Sequence, residues 1–437
     1  MSGGTTEGRK GGTELPQIGD LRSAGPPVGS SAFFRRSGAF AALYHRNFRL
    51  FFYGQLISLV GTWMQQVALA WLVLTVTNSA FYVGLVNALD ALPVLALALY
   101  AGVVVDHVSR HRLIVVTQVS AMVLSLLLAA LVFAGVVRVG HIMAIATLYG
   151  IINAFDIPGR HTLYGDIVGR DDLISAVALN SVSFNATRII GPAIAGIVLG
   201  VAGAGVCFLV NGISYAAVLW GLFAMDVPSR RSPASSASAV RNILVGLRHI
   251  AADSRMRSLV LLTSVLSIFG TPFLVLLPIV AKHVLGRGAA LYGGMMAAVG
   301  SGALLGALWI GGASRRVSRG RVLGWSATAY GLLVTLFSFA RSIPLALGLL
   351  GLIGLVMIVT GAIANTLLQT LAPDDLRGRV VSVYTLVSVG FAPIGALQAG
   401  AVAERWGAPG ALALGGLICV IGAVIALAST PELRQTR

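Results

Sequence analysis

Long apolar runs follow one another along most of the chain, with short charged, glycine-containing or proline-containing breaks between them. A run of about 20 residues can cross a lipid bilayer as a helix, whereas a single apolar strand would leave its backbone groups unpaired in lipid. The breaks predict an all-α polytopic protein with twelve membrane-spanning helices, over residues 48–76, 80–105, 113–137, 140–157, 175–199, 203–225, 258–281, 290–312, 322–340, 344–368, 379–403 and 407–429.

The composition supports this interpretation. Of the 437 residues, 57% are hydrophobic and 11% are charged, whereas soluble domains carry about 25% charged residues. The two cysteines lie inside apolar runs, so neither a disulfide framework nor a Cys-based zinc site is available. A glycine-rich phosphate loop and a His-Glu-x-x-His string are also missing from the sequence. We therefore expect no cofactor, no metal and no enzymatic activity.

The spacing of the spans divides the chain into five regions. Residues 1–45 repeat Gly, Pro, Ser and Arg without a long apolar run, so we expect a disordered tail and no secretory signal. The longest connection, 226–257, is the expected linker between two sets of six spans. The predicted bundles are 46–225 and 258–429, and a second tail follows at 430–437.

Positive charges are distributed unevenly between alternate loops. The 31 Lys and Arg residues outnumber the 15 Asp and Glu residues, but they lie between apolar runs rather than on one folded face, so they do not indicate nucleic acid. With the N-terminus inside, 25 of them fall in inner segments and five in outer loops. Because inner loops carry the positive excess, we expect both tails and the linker to be cytoplasmic.

Two short strings recur at matching places in the two halves. Residues 108–112 after the second span are similar to 317–321 after the eighth, 209 residues later. Residues 171–173 before the fifth span match 374–376 before the eleventh, 203 residues later. The similar separations indicate a repeated six-span unit.

Six plus six spans, a long central inner loop and the string GVVVDHVSRHR at 102–112 resemble the major facilitator superfamily. Within it, the strings at 153–160, 178–181 and 185–192 are similar to the branch of enterobactin exporters and macrolide efflux pumps. The resemblance implies two pseudo-symmetric six-helix bundles that rock around a central cavity. It also implies a monomer in a bacterial inner membrane, with a small-molecule substrate.

The same resemblance assigns gating positions to Gly102, Asp106, Arg110 and Arg112. Asp106 is expected to approach the start of span eleven, where the helix dipole favours a carboxylate, and to latch one conformation. Arg110 and Arg112 have a simpler interpretation as ordinary positive residues of an inner loop.

Asp90 lies about ten residues into span two, or about 15 Å along the helix. An ionised carboxyl at that depth costs at least about 2.5–3.5 kcal/mol. One interpretation is a proton carrier, because burial favours the neutral acid. The other is a structural Asp held permanently by Asn87 or by an arginine of another helix.

A polar stripe marks span five. Ser181, Asn185 and Arg188 share one helix face, so we expect them to line a cavity, with Arg188 taking part in proton coupling. Pro192 removes the N–H that would bond the Arg188 carbonyl, which predicts a bend. Gly191 and Pro192 resemble the antiporter motif of the superfamily and are predicted gating residues, with helix packing alone as the alternative.

Span one carries a second polar stripe, formed by Gln55, Ser58, Thr62 and Gln66 at spacings of three to four. Gln55, Thr62 and Gln66, with Asn87 of span two, are expected to line the cavity. Such a cavity is mostly apolar with a few amides and hydroxyls, which suits a bulky amphipathic molecule.

Asp156 and Arg160 stand four residues apart at the inner end of span four. They can pair if the segment stays helical, which Pro158 between them disfavours. We expect a gating or structural role for the two residues rather than substrate contact. Three acids follow, and Asp166, Asp171 and Asp172 are all expected to be solvated loop residues.

The two-half repeat and the mid-depth Asp90 and Arg188 predict a secondary transporter. The resemblance implies that it exports a siderophore or a drug such as a macrolide in exchange for protons. Its expected partners are the small molecule, protons and membrane lipid. An importer or uniporter of the same fold remains an alternative, and so does a membrane sensor or assembly protein that binds without transport. A membrane-embedded enzyme is disfavoured.

Overall fold

The computed structural model describes residues 3, 40–169, 171–225, 239–313 and 318–430. Every regular element in these ranges is helical, which confirms the all-α fold. The tail at 431–437, most of the tail at 1–45 and the first part of the linker lie outside them. Within the predicted N-terminal tail, Ala41–Tyr44 forms a 3-10 turn, and the Ala42 N–H donates to Ser175 Oγ at 3.0 Å.

The first bundle is formed by five helices. The last of them spans 51 residues and is interrupted at Gly203, whose φ of 80° is readily adopted only without a Cβ. Its two arms supply two spans. In chain order the helices are α1 Arg46–Thr77, α2 Ala80–His107, α3 Arg110–Phe133, α4 Val139–Val168 and α5 Leu173–Phe223. Helix α1 packs on α5, α2 on α4, and α3 on both α4 and α5.

The second bundle follows a short linker helix. Its first span combines two α-helices with two π turns, Leu266–Gly270 and Val280–Val284, and its last helix is interrupted at Gly407 (φ 74°). The helices are α6 Ala239–Ala252, α7 Ser254–Val265, α8 Phe273–Ile279, α9 Ala289–Ala313, α10 Arg319–Phe337, α11 Ile343–Leu371, α12 Arg377–Gly390 and α13 Ala392–Ser429.

The structure supports twelve spans. Nine helical segments within the described residues are long and apolar enough to cross a membrane. Two of these, Leu173–Phe223 and Arg377–Ser429, are interrupted at Gly203 and Gly407 and cross twice. Helix α10 completes the set. The two glycines lie 204 residues apart, in agreement with the repeat predicted from the sequence.

At Pro192, where the sequence predicts a bend, the backbone angles of α5 are helical, and the bend itself stays a prediction. The helix continues through this residue, and Gly203 is the residue with non-helical backbone angles inside it. A proline removes one backbone hydrogen bond, and packing of α5 against α1, α3 and α9 holds the helix in place around that gap.

The two bundles meet mainly through α2 with α13 and through α5 with α9. Glycines permit both approaches. A Cβ on Gly400 would lie 2.8 Å from the Ala80 carbonyl oxygen, and a Cβ on Gly196 would lie 2.8 Å from the Gly293 Cα. The first contact lies beside the α1–α2 turn at residues 77–80. We call this end of the molecule the closed end.

Candidate functional site

A cavity of about 280 Å³ lies between the two bundles. Residues of α1, α2 and α5 line one side, and residues of α8, α9 and α13 line the other. Four of the residues singled out in the sequence meet here, namely Gln66, Asn87, Asp90 and Arg188. We call this space the central cavity.

Asp90 projects from α2 into the central cavity without a bonded partner. Within the described part of the chain, its carboxyl takes part in neither a hydrogen bond nor an ion pair. The Asn87 amide, which could have held it, donates instead to the Val83 carbonyl at 2.9 Å. The backbone at Asp90 is tightly packed, because Gly150 of α4 lies directly against the Asp90 carbonyl oxygen.

Arg188 lies on the opposite helix of the first bundle, with its guanidinium over an aromatic ring. The Cζ atom is 5.9 Å from the centre of the Trp63 ring, a cation–π contact worth about 0.5–2 kcal/mol. Gly191 makes room for Trp63, since a Cβ there would lie 2.5 Å from the Trp63 Cβ. The Trp63 indole N–H is buried without an acceptor among the described residues.

The remaining residues of the span-five stripe lie outside the central cavity. Ser181 and Asn185 are exposed on the face of α5 that carries Arg188. Both bond to their own helix, Ser181 Oγ to the Val177 carbonyl at 2.9 Å and Asn185 Nδ2 to the Ser181 carbonyl at 2.8 Å. Their role in substrate binding stays a prediction.

Gln55 and Thr62 line a separate cavity of about 40 Å³ inside the first bundle. Thr62 Oγ1 donates to the Ser58 carbonyl at 2.9 Å, and Gln55 is buried. The residues of the span-one stripe therefore line two different cavities. Of the four, Gln66 lies on the side of α1 that faces the second bundle and lines the central cavity.

Asp156 and Arg160 reach the same small cavity and form an ion pair, Nε to Oδ2 at 2.8 Å. Helix α4 continues through Pro158, so the i, i+4 spacing is preserved. The other carboxylate oxygen of Asp156 accepts from Thr117 at 2.7 Å and Gln118 at 2.9 Å. Through these two hydrogen bonds Asp156 ties α4 to α3.

We expect Asp156→Asn to lower the free energy of unfolding by about 3 kcal/mol, because it leaves Arg160 without its partner in a largely buried site. Thermal unfolding of the purified protein in detergent measures the effect. Asp374→Asn is the control, since its pair with Arg377 is exposed and should contribute at most about 1 kcal/mol. Equal unfolding temperatures for the two variants would contradict the assigned role.

A buried polar cluster beside this pair was not predicted from the sequence. Gln65 Oε1 accepts from Ser125 Oγ and from Asn211 Nδ2, both at 2.8 Å. The Tyr149 and Tyr215 hydroxyls lie 2.8 Å apart, and Tyr149 also contacts Ser125. These residues come from four different helices, α1, α3, α4 and α5, and only the fold brings them together.

The gating positions of the 102–112 string lie at the end of α2 and the start of α3. A Cβ on Gly102 would meet open space, and Arg112 is exposed. The side chain of Asp106 lies outside the described part of the structure. The gating role of these three residues stays a prediction.

Two acids that the sequence predicts as solvated have partners inside the fold instead, one in an ion pair and the other in a hydrogen bond to a histidine. Arg110 Nη1 donates to both carboxylate oxygens of Asp166 at 2.7 Å. His45 Nε2 lies 2.7 Å from Asp172 Oδ2, which connects the start of α1 to the start of α5. These pairs form because helix packing brings chain segments 56 and 127 residues apart into contact.

Glu404 of α13 caps the first turn of α2 at the closed end. One carboxylate oxygen accepts from the Ser79 hydroxyl at 2.9 Å, the Ala80 N–H at 2.8 Å and the Phe81 N–H at 3.2 Å. A helix N-terminus has free N–H groups and a positive dipole end, so the carboxylate is stabilised there.

Lys282 makes the complementary contact across the same turn. Its ammonium donates to the Leu74 carbonyl at 3.4 Å and to Asn78 Oδ1 at 3.1 Å, at the negative end of α1. Both charged residues belong to the second bundle and both helix ends to the first. The contacts therefore fasten the two bundles together at the closed end.

We expect Glu404→Gln to shift the equilibrium toward an opened closed end by about tenfold, since loss of the carboxylate charge removes about 1.4 kcal/mol. The distance between spin labels at the exposed positions Thr75 and Arg287 reports this opening. Arg405→Gln, on the neighbouring exposed residue, should leave the distance distribution unchanged. Identical distributions for Glu404→Gln and the unsubstituted protein would refute the fastening role.

The comparison with known proteins identifies the family. The family described as transmembrane secretion effector, within the major facilitator superfamily, matches residues 37–436. The chain belongs to this family. It is thus a multi-pass inner-membrane transporter, and the resemblance stated from the sequence is confirmed.

Curated relatives are similar over most of their length. The staphyloferrin A transporter of Staphylococcus aureus is 25% identical over 82% of this chain and 90% of its own. The multidrug efflux pump Tap of Mycolicibacterium fortuitum is 29% identical over 82% and 89%. The enterobactin exporter of Escherichia coli is 24% identical over 90% and 94%. These relatives are transporters of siderophores or drugs.

Solved structures confirm the architecture. The nucleoside transporter NupG superposes with a TM-score of 0.71 over 88% of this chain and 98% of its own, at 13% sequence identity. At this identity the similarity establishes two six-helix bundles around a central cavity, and it establishes the fold alone.

Proposed function

We propose that the protein exports an amphipathic small molecule, a siderophore or a drug, in exchange for protons. The observation that carries the proposal is the position of Asp90 and Arg188, which line one cavity between the bundles without forming an ion pair with each other. Relatives named as an efflux pump and as an exporter support the outward direction.

The lining of the central cavity suits an amphipathic ligand. Trp63, Tyr292 and Met296 supply aromatic and polarisable surface, while Gln66 and Asn87 supply amides. Ligand pockets commonly enclose about 300–1,000 Å³ and combine an apolar lining with a few polar groups. The central cavity, at about 280 Å³, lies just below that range and has this composition.

The proposed coupling uses the cost of a buried charge. Asp90 is most stable in its neutral form while the cavity is closed to water, and it ionises when water or a cationic group enters. A proton taken up from one side is then released when substrate arrives from the other. Arg188 keeps a fixed positive charge in the cavity and orients acceptor groups of the substrate.

The orientation follows from the distribution of arginines. The closed end carries few basic residues, and the opposite end carries the arginine-rich connections, so we infer that the closed end faces outward and that both termini are cytoplasmic. In this state the central cavity is sealed from the outside. The family implies that the protein acts as a monomer embedded in lipid.

Proton movement in inside-out vesicles with an acidic lumen tests the proposal. Addition of siderophores, macrolides and dyes should cause substrate-dependent proton release from the lumen. We expect the release to be lost in Asp90→Asn, since the amide carries no proton, and kept in the control Asp375→Asn, which changes an exposed loop acid.

Three other results would contradict the proposal or a part of it. Uptake of protons together with substrate in the same direction would favour an importer. Substrate binding to the folded protein with no flux of substrate or protons would favour a sensor or assembly protein. Unchanged coupling in Asp90→Asn would show that another group carries the proton.

A further inference from the structure

A cavity of about 540 Å³ lies at the closed end, between the two bundles. The α1–α2 turn lines one side of it. The other side is formed by the residues that follow α8, the connection between α10 and α11, and the interrupted part of α13. Its polar lining consists of Asn78 from the first bundle and of His283, Arg341 and Glu404 from the second. We call this space the end cavity.

Arg341 is held in place by its own chain but has no acidic partner. Its Nη1 donates to the Ser338 carbonyl at 3.1 Å and to the Ala340 carbonyl at 3.3 Å. A guanidinium carries N–H groups on all three nitrogens, so those on Nε and Nη2 remain for another acceptor. Within the described residues Arg341 forms no ion pair, and its side chain is exposed. The guanidinium is therefore positioned and accessible to an anion that enters the end cavity.

Asn78 and His283 add donors from the two sides of the end cavity. The Asn78 Oδ1 atom accepts from the Lys282 ammonium at 3.1 Å, which fixes the amide and leaves its NH₂ group for a ligand. His283 is exposed, and its ring takes part in neither an ion pair nor a hydrogen bond with the described residues. A ligand that accepts from Asn78 and from Arg341 contacts both bundles at once.

The fixed charges at the end cavity favour a negatively charged ligand. Arg341 and Lys282 contribute two positive charges and Glu404 one negative charge. The Glu404 charge is already matched, because its carboxylate accepts from the start of α2. Arg341 and Lys282 are also two of the five basic residues that the sequence places in outer loops. Positive charge is thus concentrated at one outer cavity, on the side where basic residues are disfavoured.

We propose that the end cavity binds an oxyanion, the phosphate or carboxylate group of a small molecule or a lipid headgroup, and that the bound anion holds the closed end shut. A guanidinium recognises such a group through paired hydrogen bonds. Because the donors belong to both bundles, the anion loses partners when the bundles separate at this end. A ligand that binds one of two states shifts the equilibrium toward that state. The site therefore regulates opening and is separate from the central cavity.

Titration of the full chain in detergent with inorganic phosphate, followed by calorimetry, tests the site. Chloride keeps the ionic strength constant, so that general screening does not contribute. We expect Arg341→Gln to weaken phosphate binding at least tenfold, the effect of a lost hydrogen bond between charged groups. Arg405→Gln is the matched control, since it removes the same charge from an exposed residue outside the lining. Equal phosphate binding by the wild type and Arg341→Gln would overturn the proposal.

Spin labels at Thr75 and Arg287 test whether the anion holds the closed end shut. We expect phosphate at ten times its Kd to raise the ratio of closed to open molecules about elevenfold, if it binds the closed state alone. The change is most visible in Glu404→Gln, where the closed end is expected to open more often. Adding Arg341→Gln to that variant should abolish the response. Phosphate binding with unchanged distance distributions would contradict the holding role.

Nanodiscs distinguish a dissolved anion from a lipid headgroup. At high ionic strength, a dissolved ligand binds equally in phosphatidylcholine discs with and without phosphatidylglycerol. A headgroup that fills the end cavity instead lowers phosphate binding in the phosphatidylglycerol discs to the level of Arg341→Gln. Both results fit an oxyanion site and assign its source. Phosphate binding that Arg341→Gln weakens in neither disc would overturn the site.

The inference goes beyond the proposed function, which supplies only the outward orientation of the closed end. Phosphate binding and label distances require neither a gradient nor flux, so both results hold even if the protein does not exchange protons. Conversely, Arg341→Gln should retain Asp90-dependent proton release. Failure of the oxyanion site and failure of proton-coupled export are therefore distinguishable.

Discussion

Gly293→Ala is expected to reduce transport at least tenfold. Gly293 of α9 lies against Gly196 of α5, and an added Cβ would collide with the Gly196 Cα and come within 2.7 Å of the Pro192 carbonyl oxygen. Both obstacles are backbone atoms of a helix, which cannot turn aside as a side chain can. Overpacking of this kind costs about 1–3 kcal/mol, and α5 and α9 would have to separate.

The adjacent residue provides the control for Gly293→Ala. A Cβ on Gly294 meets open space, so Gly294→Ala adds the same methyl group to the same helix without a collision. Substrate efflux from proteoliposomes, normalised to the amount of folded protein, should fall only in Gly293→Ala. Similar efflux by the two variants would show that the α5–α9 contact is not needed for the transport cycle.

Gly150→Ala is expected to have the other large effect, because it acts on the backbone that carries Asp90. An added Cβ would collide with the Asp90 carbonyl oxygen and lie 3.0 Å from the ring of Pro93. Helix α2 must then move away from α4, and Asp90 moves with it. We expect proton-coupled efflux to fall at least tenfold. An increase of about 1.4 kcal/mol in the activation free energy of transport slows it tenfold, and overpacking costs at least about that much.

Gly140→Ala on the same helix is the control for this prediction, because its Cβ meets open space. Substrate-dependent proton release is the direct readout, and binding of substrate without a gradient shows whether the central cavity survives. Preserved proton release in Gly150→Ala would mean that Asp90 can shift without consequence, which would argue against its assigned role.

The sequence predicted the spans well because charges and helix breakers mark the ends of apolar helices. The lengths of some helices were predicted less accurately. Helix α4 extends to Val168, beyond the predicted end at 157, since Asp156, Arg160 and Asp166 all have partners inside the fold. In a hydropathy pattern, a charged residue marks the end of an apolar run. The helix itself can continue past that residue when a neighbouring side chain pairs with its charge.

The site was predicted in part. The depth of Asp90 and Arg188 in otherwise apolar spans indicated a cavity, and both line it. Gln55 and Thr62 were predicted with them because a helical stripe shows which residues share a face, but not which neighbour that face meets. Here the stripe of α1 turns toward α3, α4 and α5 at one end and toward the second bundle at the other.

The charged contacts at the closed end were not predicted for a related reason. Glu404 and Lys282 stand at the ends of spans, where charged residues are common and usually solvated. Most of their partners are backbone groups of the other bundle, 324 and 208 residues away in sequence, beside the Ser79 and Asn78 side chains. The sequence pattern does not show which backbone groups a distant side chain will meet. These contacts are therefore seen only in the folded structure.

Proton release on substrate binding tests the central claim most directly. A pH indicator in lightly buffered detergent solution follows the purified protein while a substrate identified in vesicles is added. We predict that substrate binding to the wild type releases a proton, and that Asp90→Asn binds the same substrate without release. Binding to the wild type without proton release, or equal release from Asp90→Asn, would contradict the claim that Asp90 exchanges its proton for substrate.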